Sequence, residues 1–391
     1  MRALLASILL LGCASQPDGA AGAKAPAGGE IAVPRIVVTP TGTTTLAELF
    51  ARAEAQARAG DALGAAALYD RVSELEPTAS LAGEAAFRAG EAHDAAGHHE
   101  AALLRFRFVA DRHPEHVRAR VALARATRLL AYLGDWTSAG RYADRMLERA
   151  SELTPFETIA AYSSKALALV AAGDDVRASS FVERGRTVVE RHALDLAGKL
   201  PRDVAPLYFA LGEIRRVRSE RVRLNVDPEL FLGVLEQRCQ LILDAQSAYS
   251  DAWRAYDAHW STLSGYRLGE MYAKLHEELM TVAPPPTADT DSRRQLFEGA
   301  MRLRYSVLLE KARGMLEHTV AMAERERERS EWVGHARQAL ERIRRAEQAE
   351  QAALDRLPYT RADLEELLAE LQKRRQAPPP PQDAPKARRQ N

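Results

Sequence analysis

Four glycine-led turns recur at a nearly constant interval in the first half of the chain, and that interval limits the fold more than any other feature. Gly60-Asp61, Gly97-His98 and Gly134-Asp135 lie 37 residues apart, and Gly173-Asp174 follows 39 later. Alanine stands five residues after each glycine, at Ala65, Ala102, Ala139 and Ala178. Nine residues after come Tyr69, Phe106, Ala143 and Val182; twelve after come Val72, Val109, Met146 and Gly185. A period of this length marks an array in which each unit is one supersecondary element that buries its apolar face against its neighbours. Glycine lets the chain reverse between two antiparallel helices, and the small alanine lets those helices approach closely. The larger residue four places on fills the gap to the next unit.

The composition suits such an array. Alanine, leucine, glutamate and arginine dominate, and they lose little rotamer freedom in a helix. Hydrophobic residues make up 46% and charged residues 28%, ordinary for a folded chain. The formal net charge is zero, so no global field draws the protein to nucleic acid, and no nucleic-acid partner is expected.

The spacing resembles the tetratricopeptide repeat, whose second helix carries A-x3-F and ends near a proline. Pro77 and Pro114 occupy that closing place, and Ala86-x2-Ala89-Gly90-x2-His93 stands where the family's first-helix pattern would fall. The third and fourth units depart from it, with Pro155 displaced and no proline near Glu190. The resemblance covers residues 46–190 and implies an all-α, TPR-like solenoid of antiparallel helix pairs, continuing into longer C-terminal helices. In the family, first helices line a concave protein-binding groove. Carried onto this chain, the groove positions are Phe50, Glu54, Arg58, Glu84, Phe87, Glu91, Asp94, Arg128 and Tyr132. Two phenylalanines beside four carboxylates would receive a segment with apolar anchors and basic flanks. Groove and core positions lie one residue apart on a helix, so Phe50 and Phe87 are equally readable as core and the acids as a solvated face.

The N-terminus reads as an address. Arg2 precedes an apolar run, Ala3 to Leu11, too short for the roughly 20 residues that span a bilayer. Leu10-Leu11-Gly12-Cys13 resembles the bacterial lipobox, which implies cleavage before a lipidated Cys13. Ala14, not aspartate, follows it, which in enteric-type bacteria resembles an outer-membrane destination facing the periplasm. The chain therefore divides into a signal peptide (1–12), a flexible Ala/Gly/Pro-rich tether (13–44), repeats (45–195), a helical extension (196–282), a Pro-rich loop (283–292), long helices (293–375) and a disordered basic Pro-rich tail (376–391).

Beyond residue 190 the helical pattern lengthens. One helix is expected over Asp203–Arg223, another from Pro228, and a long one from about Arg293 to Arg329 whose Glu324–Glu331 charge run is solvated. Tyr249, Trp253, Tyr256, Trp260 and Leu263 recur at 4-3-4-3 spacing as one apolar seam. Cys239 reads as a buried small hydrophobe. Thr360-x-x-Asp363 resembles a capping box. The run Cys239 to Tyr249, with Gly265-Tyr-Arg-Leu-Gly269 and Arg302-Leu-Arg-Tyr305, looks like envelope repeat proteins of myxobacterial type, some of which serve gliding motility.

No Gly-rich phosphate loop, G-x-S-x-G elbow or H-E-x-x-H occurs. His93, His98, His99, His113 and His116 straddle a turn and two helix ends, and metal binding needs ligands that converge. Neither cofactor, metal nor small-molecule substrate is expected. The sequence points to a non-catalytic scaffold, lipid-anchored in a multiprotein envelope complex. The alternatives are an outer-membrane assembly factor that reads client segments, or an enzyme of envelope polymers.

Overall fold

The computed structural model describes residues 45–195, 200–224 and 227–376. The signal peptide, the Cys13 lipidation site, the tether and the basic tail beyond Gln376 all lie outside the described residues. Eight helices form four consecutive pairs: α1 (Leu46–Arg58) with α2 (Ala62–Leu75), α3 (Ser80–Ala95) with α4 (His99–Arg112), α5 (Ala119–Tyr132) with α6 (Trp136–Leu147), and α7 (Pro155–Ala171) with α8 (Asp175–Arg191). Six more follow: α9 (Ala205–Arg221), α10 (Pro228–Trp253), α11 (Ala258–Met280), α12 (Asp291–Arg325), α13 (Glu331–Leu354) and α14 (Arg361–Gln376). The fold is an all-α, tetratricopeptide-repeat-like solenoid in which α1–α13 pack chiefly on their neighbours in sequence, while α14 packs on α12.

The repeated Gly-Asp pair is both a stop and a start. Gly60, Gly97, Gly134 and Gly173 have φ of +88°, +77°, +80° and +83°, the left-handed conformation that ends a helix and is least costly for glycine. In three units the next N–H reaches back five residues to close the turn: Asp61 to the Gln56 carbonyl, His98 to His93, Asp174 to Leu169. The aspartate then caps the following helix. Asp61 accepts from the Gly64 N–H, Asp135 from Ser138 and Asp174 from Arg177. His98 makes no such cap, so the second unit relies on glycine alone.

All four alanines of the repeat phase are buried, and so are Tyr69, Phe106, Ala143 and Val182 four places on. A Cβ on Gly90 would come within 2.9 Å of the Phe106 ring, so α3 and α4 meet more closely than alanine would allow. The third and fourth units differ in their ends. Pro155 opens α7 and does not close α6, and Thr154 and Glu157 form a reciprocal capping box.

Ion pairs spaced about one repeat apart tie successive units. Asp70 on α2 takes Arg105 of α4 at 2.6 Å, and Asp111 of α4 takes Arg145 of α6 at 2.6 Å. On the first helices, Arg125 of α5 reaches Glu91 and Asp94 of α3, and Arg120 reaches Glu157 of α7. Asp175 holds both Arg218 and Arg221, fastening α8 to α9.

The later helices correct several expectations. The 4-3-4-3 aromatic seam is broken, because α10 stops at Trp253 and α11 starts at Ala258. Tyr256 sits between them at φ +53°, 68% exposed, while Trp260 and Leu263 turn into the core. The helix expected over Asp203–Arg223 begins at Ala205 after a 3-10 turn, and the one expected to reach Arg329 ends at Arg325. Arg327, at φ +56°, breaks that last helix, and the chain turns so that Glu328 points inward. The charge run is therefore not wholly solvated: the Glu328 side chain is only 10% exposed. Cys239 is half-buried, and burial raises its thiol pKa. The Thr360–Asp363 box closes at both of its hydrogen bonds.

A buried ion network holds α9, α10 and α11 together. Glu213 is wholly buried, accepts from the Tyr249 hydroxyl at 2.6 Å and from Arg216 at 3.0 Å, and faces Arg267 at 3.4 Å. Burial alone would raise its carboxyl pKa, but the two guanidiniums outweigh burial and hold it below the usual range. Nearby, buried Arg238 donates to the Ser219 and Val222 carbonyls at the end of α9 and pairs with Glu278 of α11 at 3.1 Å. One apolar core runs without a break from Ala86 to Ile343, so the C-terminal helices are continuous with the repeats. A separate small cluster around Ala53, Tyr69 and Val72 holds the first unit.

Candidate partner-binding face

The helix periodicity that places one row of each first helix on a common face also decides which of the expected groove residues remain accessible. In the first unit Phe50 is half-buried, its ring edge-on to Tyr69 at 5.2 Å, with Glu54 beside it and Arg58 exposed at the helix end. Burial, and then the Glu54 charge, keep the Tyr69 phenol above its ordinary pKa.

In the second unit Phe87 departs from the groove reading. It is 2% exposed and packs edge-on against Phe106 at 5.6 Å, with the Arg118 guanidinium over its ring. It shares the 3-4-3 row of Glu84, Glu91 and Asp94 but belongs to the core, because the Phe106 ring and the Arg118 guanidinium cover it. Glu84, Glu91 and Asp94 do lie on that row, but as members of ion pairs. Glu84 binds Arg88 at 2.9 Å and lies within 3.9 Å of His116 and Arg118. Glu91 faces Arg125 at 3.7 Å, and Asp94 takes His99 at 3.1 Å and Arg125 at 3.4 Å. The face is a zipper of mixed charge and not an acidic patch. The hydrogen bond that His99 donates to Asp94 raises the His99 pKa.

The third unit is covered by the chain itself. Arg128 is engaged by Asp203, in the turn before α9, at 3.0 Å. Tyr132 stacks on His259 at the start of α11, ring centroids 3.6 Å apart, and its hydroxyl points at Glu328 in the α12–α13 turn. Trp332 of α13 approaches Gly134 of the repeat turn. The helices α1–α4 instead make their extensive contacts with one another and with α5. Of the nine groove positions, seven lie along α1 and α3, Phe87 among them in the core; Tyr132 is covered by the C-terminal helices, and Arg128 is paired with Asp203 but keeps 40% of its side chain exposed.

The other expected clusters are dispersed. His93 meets Asp70, His99 meets Asp94, His113 meets the Pro77 carbonyl and His116 lies near Glu84, each with its own partner. Among the described residues no three such side chains converge on a metal position. The wholly buried carboxylate, Glu213, is sealed between helices, where it fixes packing and gives a substrate no access. Among the described residues, no helix is long and apolar enough to cross a membrane.

The covering contact was not foreseen. A signal for it exists in retrospect: Tyr132, His259 and Glu328 are polar-tipped residues at helix ends, where side chains from distant elements can meet. Their separation in sequence hides which meets which.

No family model matches the chain, and no curated protein matches it. Among solved structures, a tetratricopeptide repeat protein from Parabacteroides merdae is similar at 13% identity and a TM-score of 0.39, over 76% of this chain and 98% of that one. The repeat architecture is carried by the chain's own paired helices and their shared turn chemistry.

Proposed function

We propose that this protein is a non-catalytic interaction scaffold whose partners dock on the first-helix face of its first two units. The observation that carries this reading is the difference between units: α1 and α3 make their extensive contacts with other repeat helices, whereas at Tyr132 the C-terminal helices cover that row. Half-buried Phe50 is the apolar anchor point, and the paired charges of Glu84, Arg88, Glu91 and Arg125 form a polar rim. Because the acids are already neutralised, a partner segment gains by exchanging ion pairs along its length, which favours mixed charge over a purely basic flank.

The lipobox-like Leu10-Leu11-Gly12-Cys13 motif supports a lipid anchor at Cys13 on the periplasmic face of the outer membrane, within an envelope complex. Several acyl chains bind a bilayer firmly, at about 0.8 kcal/mol per buried CH2. The resemblance to myxobacterial-type envelope proteins makes gliding motility the first pathway to examine.

Two experiments test the two halves separately. Palmitate should label the wild type and not Cys13→Ala; no labelling of either removes the anchor. Co-purification from detergent-extracted membranes should recover envelope proteins in stoichiometric amounts, and Phe50→Asp with Arg88→Glu should release them. Recovery of the protein alone would defeat the scaffold reading.

A further inference from the structure

We propose that the cleft between α8, α9 and α10 is a binding site for an oxyanion, a carboxylate or a phosphate, held by Arg186 and Arg215 with the Tyr208 hydroxyl as an added donor. The site shares no residue with α1–α5, so it stands apart from the partner-binding face.

The cleft measures about 220 Å3. Arg186 enters it from α8, Tyr208 and Arg215 from α9, and Ser247, Asp251 and Arg254 from α10. Tyr208 and Arg215 are seven residues apart, two helical turns, and so lie on one side of α9. Leu200 and Leu211 supply apolar lining.

The arginines are held in place before any ligand arrives. Arg215 donates to the Asp244 carbonyl at 2.6 Å, and Arg186 donates to Glu183 at 3.1 Å. A guanidinium has five N–H donors in a rigid fork. These anchors fix each fork and leave most of its donors for a ligand. Both side chains are half-exposed and border an open volume.

Two carboxylates, Asp195 and Asp251, also line the cleft. Asp251 is engaged by Arg254 at 3.1 Å. Asp251 is balanced by Arg254 and Glu183 by Arg186, so what the cleft offers an oxyanion is the remaining donors of its guanidinium forks and not a net positive charge. The planar fork of arginine matches carboxylate and phosphate oxygens two at a time, which a cation or a neutral ligand would not use. Burial, and then the Asp251 charge, raise the Tyr208 pKa, so its hydroxyl stays protonated and meets an oxyanion as a donor.

The test is calorimetric titration of the full chain with inorganic phosphate and, separately, with citrate, at ionic strength matched by sodium chloride. Saturable binding of one ligand per chain is expected. Arg186→Gln with Arg215→Gln should weaken it by about tenfold or more, the size of a lost charge-assisted hydrogen bond. Ser247→Asp provides a second variant that cannot be mistaken for misfolding. Ser247 is exposed, and a carboxylate there should repel the ligand to a similar degree while far-UV circular dichroism and the melting temperature stay unchanged. Binding of phosphate alone identifies a phosphate site, and binding of citrate alone or of both identifies a carboxylate-tolerant one; each supports the proposal. Absence of saturable binding to either, or binding unchanged in both variants, overturns it.

Discussion

Tyr132, at the end of the third unit's first helix, lies on the imidazole of His259 with ring planes 21° apart, and the two residues are 127 positions apart in sequence. His259 is 2% exposed, and neither ring nitrogen has a hydrogen-bond partner; Glu328 comes no nearer than 4.0 Å. A neutral ring in that place packs as an aromatic, and a charged one would be stranded. The contact is thus an interlock between the repeats and the C-terminal helices that depends on protonation state.

The pH dependence of stability follows from that burial. Burial, with His99 adding to it, drives the His259 pKa down to about 3, against about 6.5 in an unfolded chain. Between those values the unfolded state binds the proton and the folded state does not, so stability falls as pH drops below the unfolded value. His99 acts in the opposite sense. Its pKa is raised through Asp94, so its contribution is complete below the unfolded value and is lost as pH climbs through the folded one. His259→Phe should flatten the acid limb, by a few kcal/mol at about pH 4. Urea denaturation from about pH 4 to about pH 8 checks it, and an acid limb identical to wild type would refute the assignment.

Tyr132→Ala should destabilise the fold by about 3 kcal/mol, through the cavity beside His259 and the lost ring stacking. The loss should appear chiefly as faster amide exchange at the starts of α11 and α13. Exchange that rises first in α1 and α2 would mean that Tyr132 does not fasten the C-terminal helices.

In the buried network the two partners of Glu213 should separate by size. Tyr249→Phe removes one hydrogen-bond donor, costing about 1–2 kcal/mol. Glu213→Gln takes the facing carboxylate from Arg267 and leaves Arg216 with Glu220 alone, and should cost about 3–5 kcal/mol. Equal losses in chemical denaturation would contradict the picture of a carboxylate neutralising two guanidiniums.

The turn glycines give a graded series. A Cβ at Gly60, Gly97 or Gly173 meets no atom within 4 Å, so alanine there should cost only the backbone strain, about 1–2 kcal/mol. Asparagine, which visits the left-handed region more readily, should cost less. Substitutions in different units are far enough apart to add. Thermal melts of single and double variants measure both the order and the additivity.

Local signals carried the repeats. The turn glycine, its capping aspartate and the buried alanine five residues on act within a few residues of one another, so their spacing can be read directly. Phe87 is readable in the sequence as groove or as core, and its packing against Phe106 and under Arg118 decides for core. Tyr256 leaves the expected seam because it adopts a left-handed conformation in the turn between α10 and α11. Arg128 and Tyr132 lie on α5 as the spacing implies, but the groups they meet come from residues far along the chain. No periodicity within α5 could announce Asp203, His259 or Glu328.

The covering of the third unit also gives the open face a direction. A segment laid along α1 and α3, as proposed, would meet α11 and the α12–α13 turn where it reaches Tyr132. Such a stop at one end would sort ligands by which end leads, so two segments with the same side chains in reversed order would not be equivalent to it.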